Sequence, residues 1–321
     1  MKNNRVKIGL FGANGHQLHN NLENHSKVEI AAVAAIAEEL LPEYLKQAGV
    51  TMYTSLEELL SDQEIQIISL CSPLRSEQAQ QAVRCMKAGK HVYAEKPCAM
   101  TEADLDDIIR TSKETGMIFH EMAGGCFAQP YSTLKEIVIS GKIGDVIQIY
   151  GQKSYPWFEG RPQDENIDGG LALQVGVYNA RFVEHITGIK IKSITSKETK
   201  FGNNFGGECR RAVSFLMELE NGGLASGIAN YCCPQEPAWD HWGYETVRIF
   251  GTEGFVEAID NGSIGRLAVN GETLQELDYS TPTEDYFDMF LQELLTGKKI
   301  IDFSIEDEIS PTRWAIRARE K

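Results

Sequence analysis

The chain has 321 residues, 42% of them hydrophobic, which is enough for about two domains with substantial cores. Its formal net charge of -15 argues against a nucleic-acid or anionic-membrane partner, because either would need basic patches. The seven cysteines have an odd total and no C-x-x-C pair, which favours reduced thiols over a disulfide framework or a zinc site. His16 and His19 form an H-x-x-H pair with no evident carboxylate partner, so we predict no metal.

The first residues, MKNNRVKIGLFG, lead directly into a strand and lack the apolar core of a signal peptide. The longest apolar run, residues 30–37, is too short to span a bilayer. These features predict a cytoplasmic protein with no membrane segment. A set of basic residues with helical spacing predicts a solvated helix face near the end of the chain: Arg313, Arg317, Arg319 and Lys321.

Short apolar strands alternate with helical stretches over residues 1–122. The strands are VKIGLFG from Val6, IAAVAAI from Ile30, IQIISLC from Ile65, HVYAEKP from His91 and MIFHEM from Met117. A helix is expected after each of the first four strands, and the last of them starts at a capping-box-like Thr101 and ends at Gly116. Strands separated by helical crossovers predict an α/β domain with a parallel, doubly wound sheet.

From about residue 123 the pattern changes to alternating strands and hairpins. DVIQIYGQ from Asp145 and IKIKSITS from Ile189 are typical of strands, and turns are predicted at 221–222, 252–254 and 270–271. Two helical stretches, 130–140 and 170–187, are expected to pack on one face of this mostly antiparallel sheet. Residues 123–321 therefore form a second, α+β domain, with no long linker before it.

The loop after the first strand is G-A-N-G-H-Q, residues 12–17, where doubly wound sheets commonly place glycines against a pyrophosphate at a helix N-terminus. Relative to G-x-G-x-x-G it keeps Gly12, adds Gly15, and has Asn14 and Gln17 in place of the second and third glycines. Asparagine tolerates left-handed backbone angles, so Asn14 is compatible with the turn. The loop predicts a dinucleotide site that departs from its pattern.

The residue that would bind the ribose hydroxyls is expected about 20 residues after this loop, at the end of the second strand. Ala35 stands there, and Glu38 and Glu39 fall inside the next predicted helix. The sequence therefore leaves NAD and NADP open. A Rossmann-like domain that binds no dinucleotide is the alternative.

Lys96 ends a strand at the sheet edge where open α/β folds bind their ligands. Pro97 gives this lysine a stiff turn, which a cis peptide bond would hold in one orientation. A solvated strand end is the alternative for an isolated Lys-Pro pair.

Several motifs occur in order along nearly the whole chain: G-A-N-G at 12–15, S-L-C-S-P at 69–73, A-G-K-H-V-Y-A-E-K-P at 88–97, G-K-I-G-D-V at 141–146, D-G-G-L-A-L-Q-V-G-V-Y-N-A-R-F at 168–182 and G-T-E-G at 251–254. This order resembles the glucose-fructose oxidoreductase, inositol dehydrogenase and MocA family, with A-G-K-H-V-x-x-E-K-P as the most specific element. The resemblance implies an N-terminal Rossmann domain and a C-terminal domain whose open sheet often forms the oligomer interface. It also implies NAD(P)-dependent hydride transfer on sugars or cyclitols. We accordingly expect a homodimer or homotetramer.

The resemblance also assigns roles to residues. The E-K-P lysine of the family lies close to the nicotinamide and the substrate, which gives Lys96 its role. Many members carry D-x-G-x-H-x-x-D with a catalytic histidine, whereas this chain has Gln174, Tyr178 and Arg181 at three of those places. Tyr178 is similar to the proposed catalytic tyrosine of the branch with glucose-fructose oxidoreductase and dimeric dihydrodiol dehydrogenase. The expected cofactor-binding residues are Gly12, Asn14, Gly15, His16, Ser72, Pro73, Glu95 and Lys96.

Chemistry supports a tyrosine paired with a lysine. Oxidation of a carbinol sends a hydride to the nicotinamide and leaves a hydroxyl proton to be removed. A phenol with a pKa near 10 is a poor base at neutral pH, but a nearby ammonium lowers that pKa. We predict Tyr178 as the acid/base and Lys96 as the group that lowers its pKa and polarises the substrate oxygen. A core aromatic with a satisfied hydroxyl is the alternative for Tyr178.

Further departures from the family pattern keep a second hypothesis open. Gln174 replaces an aspartate of most relatives, and Leu74 and Gln78 stand where an asparagine and a histidine are frequent. The arginine often found before Pro130 is absent. Together with the altered loop and the missing ribose acid, these changes are compatible with a catalytically silent dinucleotide- or sugar-binding member of the family.

Two segments rich in aromatic and polar residues, YPWFEGRP at 155–162 and PAWDHWGYE at 237–245, are candidates for substrate binding. Their tryptophans are suited to stack on a sugar ring, and their charged residues to bind hydroxyls or a phosphate. Segments that cover the sheet edge or form an oligomer contact are the alternative. The predicted substrate-binding residues are Trp157, Arg161, Gln174 and His241.

Overall fold

The computed structural model describes residues 5–319, so Lys321 of the predicted basic helix face lies outside the described residues. The chain divides into two compact units. Unit 1 runs to Met122 and includes residues 166–168, and unit 2 comprises residues 123–165 and the chain from Gly169 onward. No helix between residues 5 and 319 is long and apolar enough to cross a membrane.

Unit 1 is built on a six-stranded sheet in which all neighbouring strands are parallel. The strand order is β3-β2-β1-β4-β5-β6, the order of a doubly wound fold, which confirms the prediction. The short edge strand β3 was not predicted from the sequence. The strands are β1 (Val6–Phe11), β2 (Val28–Ala34), β3 (Thr51–Tyr53), β4 (Ile67–Leu70), β5 (His91–Ala94) and β6 (Phe119–Glu121).

Four α-helices connect these strands, and their ends follow capping rules. The hydroxyl of Thr101 accepts from the backbone N–H of Asp104 at the start of the longest helix, and Gly116 ends it in the left-handed conformation. This boundary matches the sequence prediction. The helices are α1 (Glu43–Ala48), α2 (Leu56–Ser61), α3 (Gln78–Lys87) and α4 (Glu102–Thr115).

The predicted helix between β1 and β2 is wrong. The chain there forms only a three-residue 3-10 turn, Leu18–Asn20. The connection contains four asparagines and three histidines between residues 14 and 25, residue types with low helix propensity that favour turns. Its glutamine, Gln17, uses its side chain to accept from the backbone N–H of Leu18. No helix dipole therefore supports anion binding at this loop.

Unit 2 is built on an eight-stranded open sheet of order β14-β13-β12-β11-β7-β10-β9-β8. Only β7 and β10 pair in parallel, so the predicted mostly antiparallel sheet and its three hairpins are confirmed. The strands are β7 (Val146–Pro156), β8 (Ile191–Thr199), β9 (Ala212–Leu219), β10 (Leu224–Cys233), β11 (Tyr244–Gly251), β12 (Gly254–Ile259), β13 (Ile264–Val269) and β14 (Gln275–Glu276).

The predicted helix over 170–187 is broken into shorter pieces. The break falls at Val175 and Gly176, and a Cβ added at Gly176 would lie 2.4 Å from the carbonyl oxygen of Ala172 and 2.5 Å from the ring of Phe215. Close packing on the sheet thus takes precedence over a continuous helix. The pieces are α7 (Gly170–Gln174), α8 (Val177–Arg181) and a π-helical turn (Phe182–Ile186), and the other helices are α5 (Tyr131–Ile139), α6 (Glu165–Asp168), α9 (Tyr286–Thr296) and α10 (Ile305–Ala318).

One face of the unit 2 sheet forms the core, and the other is partly exposed. Along β9, Phe215 and Met217 are buried, while Leu216 between them is 54% exposed. Leu224 of β10, on the same outer face, is 45% exposed. The helices pack on the inner face, as residues of α5, α7 and the π-helical turn share one apolar cluster with the strands.

Candidate active site

The loop after β1 makes a tight glycine turn against the end of β4. Gly12 has a φ of 72°, and a Cβ there would lie 2.1 Å from the carbonyl oxygen of Cys71, so only glycine fits. Asn14 does not use a left-handed backbone. Its side-chain amide instead donates to the carbonyl oxygens of Ser72 (3.2 Å) and Ile167 (2.5 Å).

A buried carboxylate supports this loop from the strand end of β5. Oε2 of Glu95 accepts from the backbone N–H of His16 at 2.7 Å and lies 2.9 Å from its Nδ1. A Cβ at Gly15 would lie 2.6 Å from the Glu95 carboxyl carbon, so this close approach requires glycine. Burial raises the pKa of Glu95, but the hydrogen bond and charge of His16, with the charges of Lys96 and Arg75, outweigh it and hold the pKa at about 2.

Most of the loop's central N–H groups are already bonded to the protein. Asn14 donates its N–H to the carbonyl oxygen of Cys71 at 3.2 Å, Gly15 to that of Ala13 at 3.1 Å, and His16 to Glu95. A pyrophosphate is normally held by such amides. The glycine turn and the strand ends fit a dinucleotide, but with fewer backbone donors than the G-x-G-x-x-G pattern supplies. The His16 side chain, 66% exposed, is placed to add a donor.

Gln17, in place of the third glycine, stabilises the loop through side-chain hydrogen bonds that the sequence analysis did not predict. Its Nε2 donates to the carbonyl oxygen of Gly12 at 2.8 Å, and its Oε1 accepts from the hydroxyl of Ser69 at 2.6 Å. The side chain is 4% exposed and ties the glycine turn to β4. Its partner lies 52 residues away in sequence, so no local pattern indicates this bond.

Gln78, in place of the family's histidine, holds the E-K-P turn. Its Nε2 donates to the carbonyl oxygens of Glu95 (2.5 Å) and Pro97 (3.1 Å). Its Oε1 accepts from Nη1 of Arg75 at 2.5 Å and from the backbone N–H of Ser72 at 3.2 Å. The replacement therefore leaves a fully bonded buried group rather than a defect.

The sequence analysis did not single out Arg75, a further residue of this network. It is fully buried, and its Nη2 donates to the carbonyl oxygen of Asn14 at 2.6 Å. Through Gln78 it joins the glycine loop, the Ser72–Pro73 segment and the E-K-P turn in one network. The predicted cofactor residues of unit 1 thus lie together at one edge of the parallel sheet.

Lys96 is 1% exposed, so it is not a solvated strand end. It follows β5 directly, and its peptide bond to Pro97 is cis. A buried ammonium is costly unless neighbouring charges or a ligand compensate it. Its charge contributes to the low pKa of Glu95.

The position expected for a ribose-binding acid carries no carboxylate. Ala35 follows the end of β2 with a φ of 54° and is exposed. Glu38 and Glu39 lie in a 3-10 turn, Glu38–Leu40, and not in the predicted helix. Both are exposed, and neither NAD nor NADP is selected by this strand end.

Tyr178 lies in α8 of unit 2, in a cluster of aromatic and charged side chains. Its hydroxyl accepts from the hydroxyl of Tyr155 at 3.4 Å. Nζ of Lys153, on β7, lies 4.7 Å from the Tyr178 ring centroid, and the guanidinium of Arg181 lies 5.5 Å from it. Gln174, half buried, ends α7 four residues earlier. Sequence reasoning missed Lys153, because a lysine in an alternating strand usually faces solvent.

The two aromatic segments proposed for substrate binding meet within unit 2. The rings of Phe158 and Trp242 are 5.8 Å apart, and those of Tyr155 and Trp242 are 6.5 Å apart. Tyr155 thereby connects these segments to Tyr178. A cavity of about 350 Å³ lies beside them, lined by Pro156, Gln235, Glu236, Trp239, Asp240, His241 and Trp242.

Trp157 and Arg161 contact other protein groups and do not line this cavity. Nε1 of Trp157 donates to Oδ1 of Asn204 at 2.7 Å, and its ring stacks on Phe205 with centroids 5.0 Å apart. Arg161 is 7% exposed, lies 4.1 Å from the Tyr231 ring centroid and donates to a backbone carbonyl of the same segment. These contacts shape the segment, whereas His241 lines the cavity itself.

No group of three metal-binding side chains occurs between residues 5 and 319. The seven cysteines form no disulfide bond in the structure. Six of them are buried, and burial raises the pKa of the Cys85 thiol to about 12.

A six-stranded doubly wound sheet with a glycine turn after β1, followed in the same chain by an open eight-stranded sheet, defines the class of two-domain proteins with a Rossmann fold. The model of the oxidoreductase family with an NAD-binding Rossmann fold, GFO/IDH/MocA, matches residues 6–122. The model of the GFO/IDH/MocA C-terminal domain matches residues 131–257. The chain belongs to this family of NAD(P)-dependent oxidoreductases.

Named relatives lie at moderate identity. The chain is 23% identical to myo-inositol 2-dehydrogenase of Thermotoga maritima, over 91% of this chain and 86% of that one. It is 25% identical to trans-1,2-dihydrobenzene-1,2-diol dehydrogenase of Mus musculus, over 77% of this chain and 71% of that one. The solved structure of a putative oxidoreductase from Thermotoga maritima superposes with a TM-score of 0.86 at 24% identity, over 98% of this chain and 96% of that one. This similarity shows the shared fold.

Proposed function

We propose that this oxidoreductase transfers a hydride between NAD or NADP and a sugar, cyclitol or related polyol, with Tyr178 as the acid/base and Lys96 assisting. The observation that carries the proposal is Lys96, a buried ammonium at the end of β5 in a domain of NAD-binding type. The turn that presents it is held by Gln78, which bonds the carbonyl oxygens on both sides of the lysine. Such an arrangement is suited to a ligand oxygen at the strand ends.

The proposed chemistry assigns separate roles to separate residues. Unit 1 would hold the dinucleotide with Gly12, Asn14, Gly15 and His16, and with the Ser72–Pro73 and Glu95–Lys96 segments. The bound nicotinamide accepts or supplies the hydride. In the oxidative direction the substrate hydroxyl proton passes to the Tyr178 oxygen, and in the reductive direction the phenol returns it. The Lys96 ammonium stabilises negative charge on the substrate oxygen as the proton leaves.

The substrate assignment draws on the relatives and on unit 2. The relatives are named for a cyclitol and for a cyclic diol, both of which carry vicinal hydroxyls on a ring. The cavity next to Trp239 and His241 offers aromatic faces and polar groups for such a ring. We assign residues 1–122 to cofactor binding and 123–321 to substrate binding and oligomerisation. A cytoplasmic homodimer or homotetramer completes the proposal.

A second candidate function is a catalytically silent family member that binds a dinucleotide or a sugar. The observation that favours it is the glycine loop, whose N–H groups at Asn14, Gly15 and His16 are bonded within the protein. Tight ligand binding without turnover on any polyol would support this candidate.

The test is turnover on a polyol panel with NAD⁺ and NADP⁺, followed at 340 nm. We expect activity with at least one cyclitol or sugar, and a loss of kcat of about 10²- to 10⁴-fold in Tyr178→Phe and Lys96→Ala. Tyr53→Phe and Lys87→Ala, a tyrosine and an exposed lysine of unit 1, are the matched controls. Unchanged turnover in the two site variants would refute the assigned roles.

A further inference from the structure

Lys153 lies at the centre of the cluster around Tyr178. Its ammonium is 4.7 Å from the Tyr178 ring centroid and 4.8 Å from that of Tyr155. The residue is 7% exposed, which is rare for a lysine outside a functional or paired environment. Its Nζ forms an ion pair with Glu245 of β11. One buried cation thus contacts both tyrosines whose hydroxyls are hydrogen-bonded to each other.

The groups that face Tyr178 come from three elements. Lys153 and Tyr155 come from β7, Arg181 from α8 itself, and Glu245 from β11 through its pair with Lys153. Burial raises the pKa of Glu245 to about 7, so its carboxylate is ionised in the alkaline range in which a tyrosine titrates. The hydroxyl of Tyr131 donates to the same carboxylate. The thiol of Cys233 also lies near Lys153. Burial raises the pKa of this thiol, and the positive charge of Lys153 opposes the rise.

We propose that Lys153 is a positioning residue for Tyr178: the Lys153 ammonium stabilises the Tyr178 phenolate. Glu245 limits this effect, because its carboxylate neutralises part of the Lys153 charge. The effect of Lys153 on turnover rests on the proposed function, in which Tyr178 is the acid/base, whereas its effect on the pKa of Tyr178 does not. A phenolate spreads its charge into the ring, so a cation over the ring face favours it over the neutral phenol. At about 5 Å and an effective dielectric near 20, an unpaired charge would lower a pKa by about two units.

Because Glu245 is the partner of Lys153, the proposal predicts that removal of either charge shifts the pKa of Tyr178, and that the two shifts have opposite signs. Removing the ammonium raises the pKa of Tyr178, whereas removing the negative charge of Glu245 exposes the full ammonium and lowers it. A lysine that only packs against the rings would produce neither change. In the oxidative direction, the acid limb of kcat/KM follows the pKa of the base, so it moves up for one variant and down for the other.

The experiment is NMR titration of the whole protein labelled with [¹³Cζ]tyrosine, without substrate or cofactor. Of the 11 tyrosine signals, that of Tyr178 is assigned by its loss in Tyr178→Phe. We expect its pKa to rise by about one to two units in Lys153→Met, to return towards the wild-type value in Lys153→Arg, and to fall in Glu245→Gln. Lys135→Met is the matched control, because that ammonium lies over Phe127 and Phe303 instead.

Equal Tyr178 pKa values in the wild type and Lys153→Met would overturn the inference. If Lys153→Met does not fold, an unchanged or raised value in Glu245→Gln overturns it. The outcome is separate from that of the proposed function. A moved pKa with full turnover in Tyr178→Phe refutes only the catalytic role of Tyr178, and an unmoved pKa with lost turnover refutes only the role of Lys153.

Discussion

Oε2 of Glu95 accepts from the backbone N–H of His16 at 2.7 Å and lies 2.9 Å from its Nδ1, so one buried carboxylate holds the loop for which we propose cofactor binding. In a typical doubly wound fold, loop amides and a helix N-terminus face the pyrophosphate. Here a 3-10 turn replaces the helix, and a carboxylate uses one of the amides. The loop is therefore pre-formed by the protein itself.

The first prediction concerns stability and Glu95. Its pKa of about 2 in the folded chain lies below the ordinary 4.5, so its ionised form stabilises the fold at neutral pH by about 3 kcal/mol. This contribution is complete above pH 4.5 and is lost as the pH falls from 4.5 towards 2. We expect urea unfolding to show Glu95→Gln less stable than the wild type at pH 7, with a gap that narrows below pH 4.5. Equal midpoints at pH 7 would contradict this role, and Glu39→Gln, an exposed glutamate, is the control.

The second prediction concerns Gln78. Gln78→Leu leaves the buried guanidinium of Arg75 and two turn carbonyls without their present partner. We expect a loss of about 2 to 4 kcal/mol in the free energy of unfolding, because unsatisfied buried polar groups are costly. Thermal and urea unfolding measure it. Gln80→Leu, an exposed neighbour on α3, should change stability by less than about 0.5 kcal/mol.

How far the sequence predicts this fold depends on the range of the contacts. Strand periodicity and the caps Thr101 and Gly116 are local, and they predicted α4 and both sheets correctly apart from the edge strand β3. The helix predicted after β1 was wrong: its asparagines and histidines favour turns, and the bond that turns Gln17 inward comes from Ser69, 52 residues away, so no local pattern shows it. At the site, the E-K-P motif indicated Lys96. Arg75 and Lys153 were missed, because their partners come from other elements.

The third prediction concerns the cavity in unit 2. If it binds a ring hydroxyl, His241→Ala and Trp239→Ala should raise KM about tenfold with little change in kcat, since they remove binding contacts of about 1 to 2 kcal/mol. Steady-state kinetics on the most active polyol measure both constants. His25→Ala, in unit 1, is the control. A loss of kcat at constant KM would place these residues outside substrate binding.

The fourth prediction concerns oligomerisation. Leu216 and Leu224 expose apolar surface on the outer face of the open sheet. If that face is the interface of a homodimer or homotetramer, Leu216→Asp should dissociate the assembly, because a charge would be buried without a partner. Size-exclusion chromatography with light scattering gives the mass. Leu295→Asp, an exposed leucine on α9, should leave it unchanged, and an unaltered mass in Leu216→Asp would exclude this face.

The claim that most depends on the unusual loop is dinucleotide binding, and the most direct measurement is fluorescence titration of the purified protein with NADH and NADPH separately. We predict saturable binding of at least one, which would also settle the specificity that Ala35 leaves open, and weaker binding in His16→Ala. Binding of neither cofactor would contradict the account, and the E-K-P turn would then be an inherited structural feature of a silent protein.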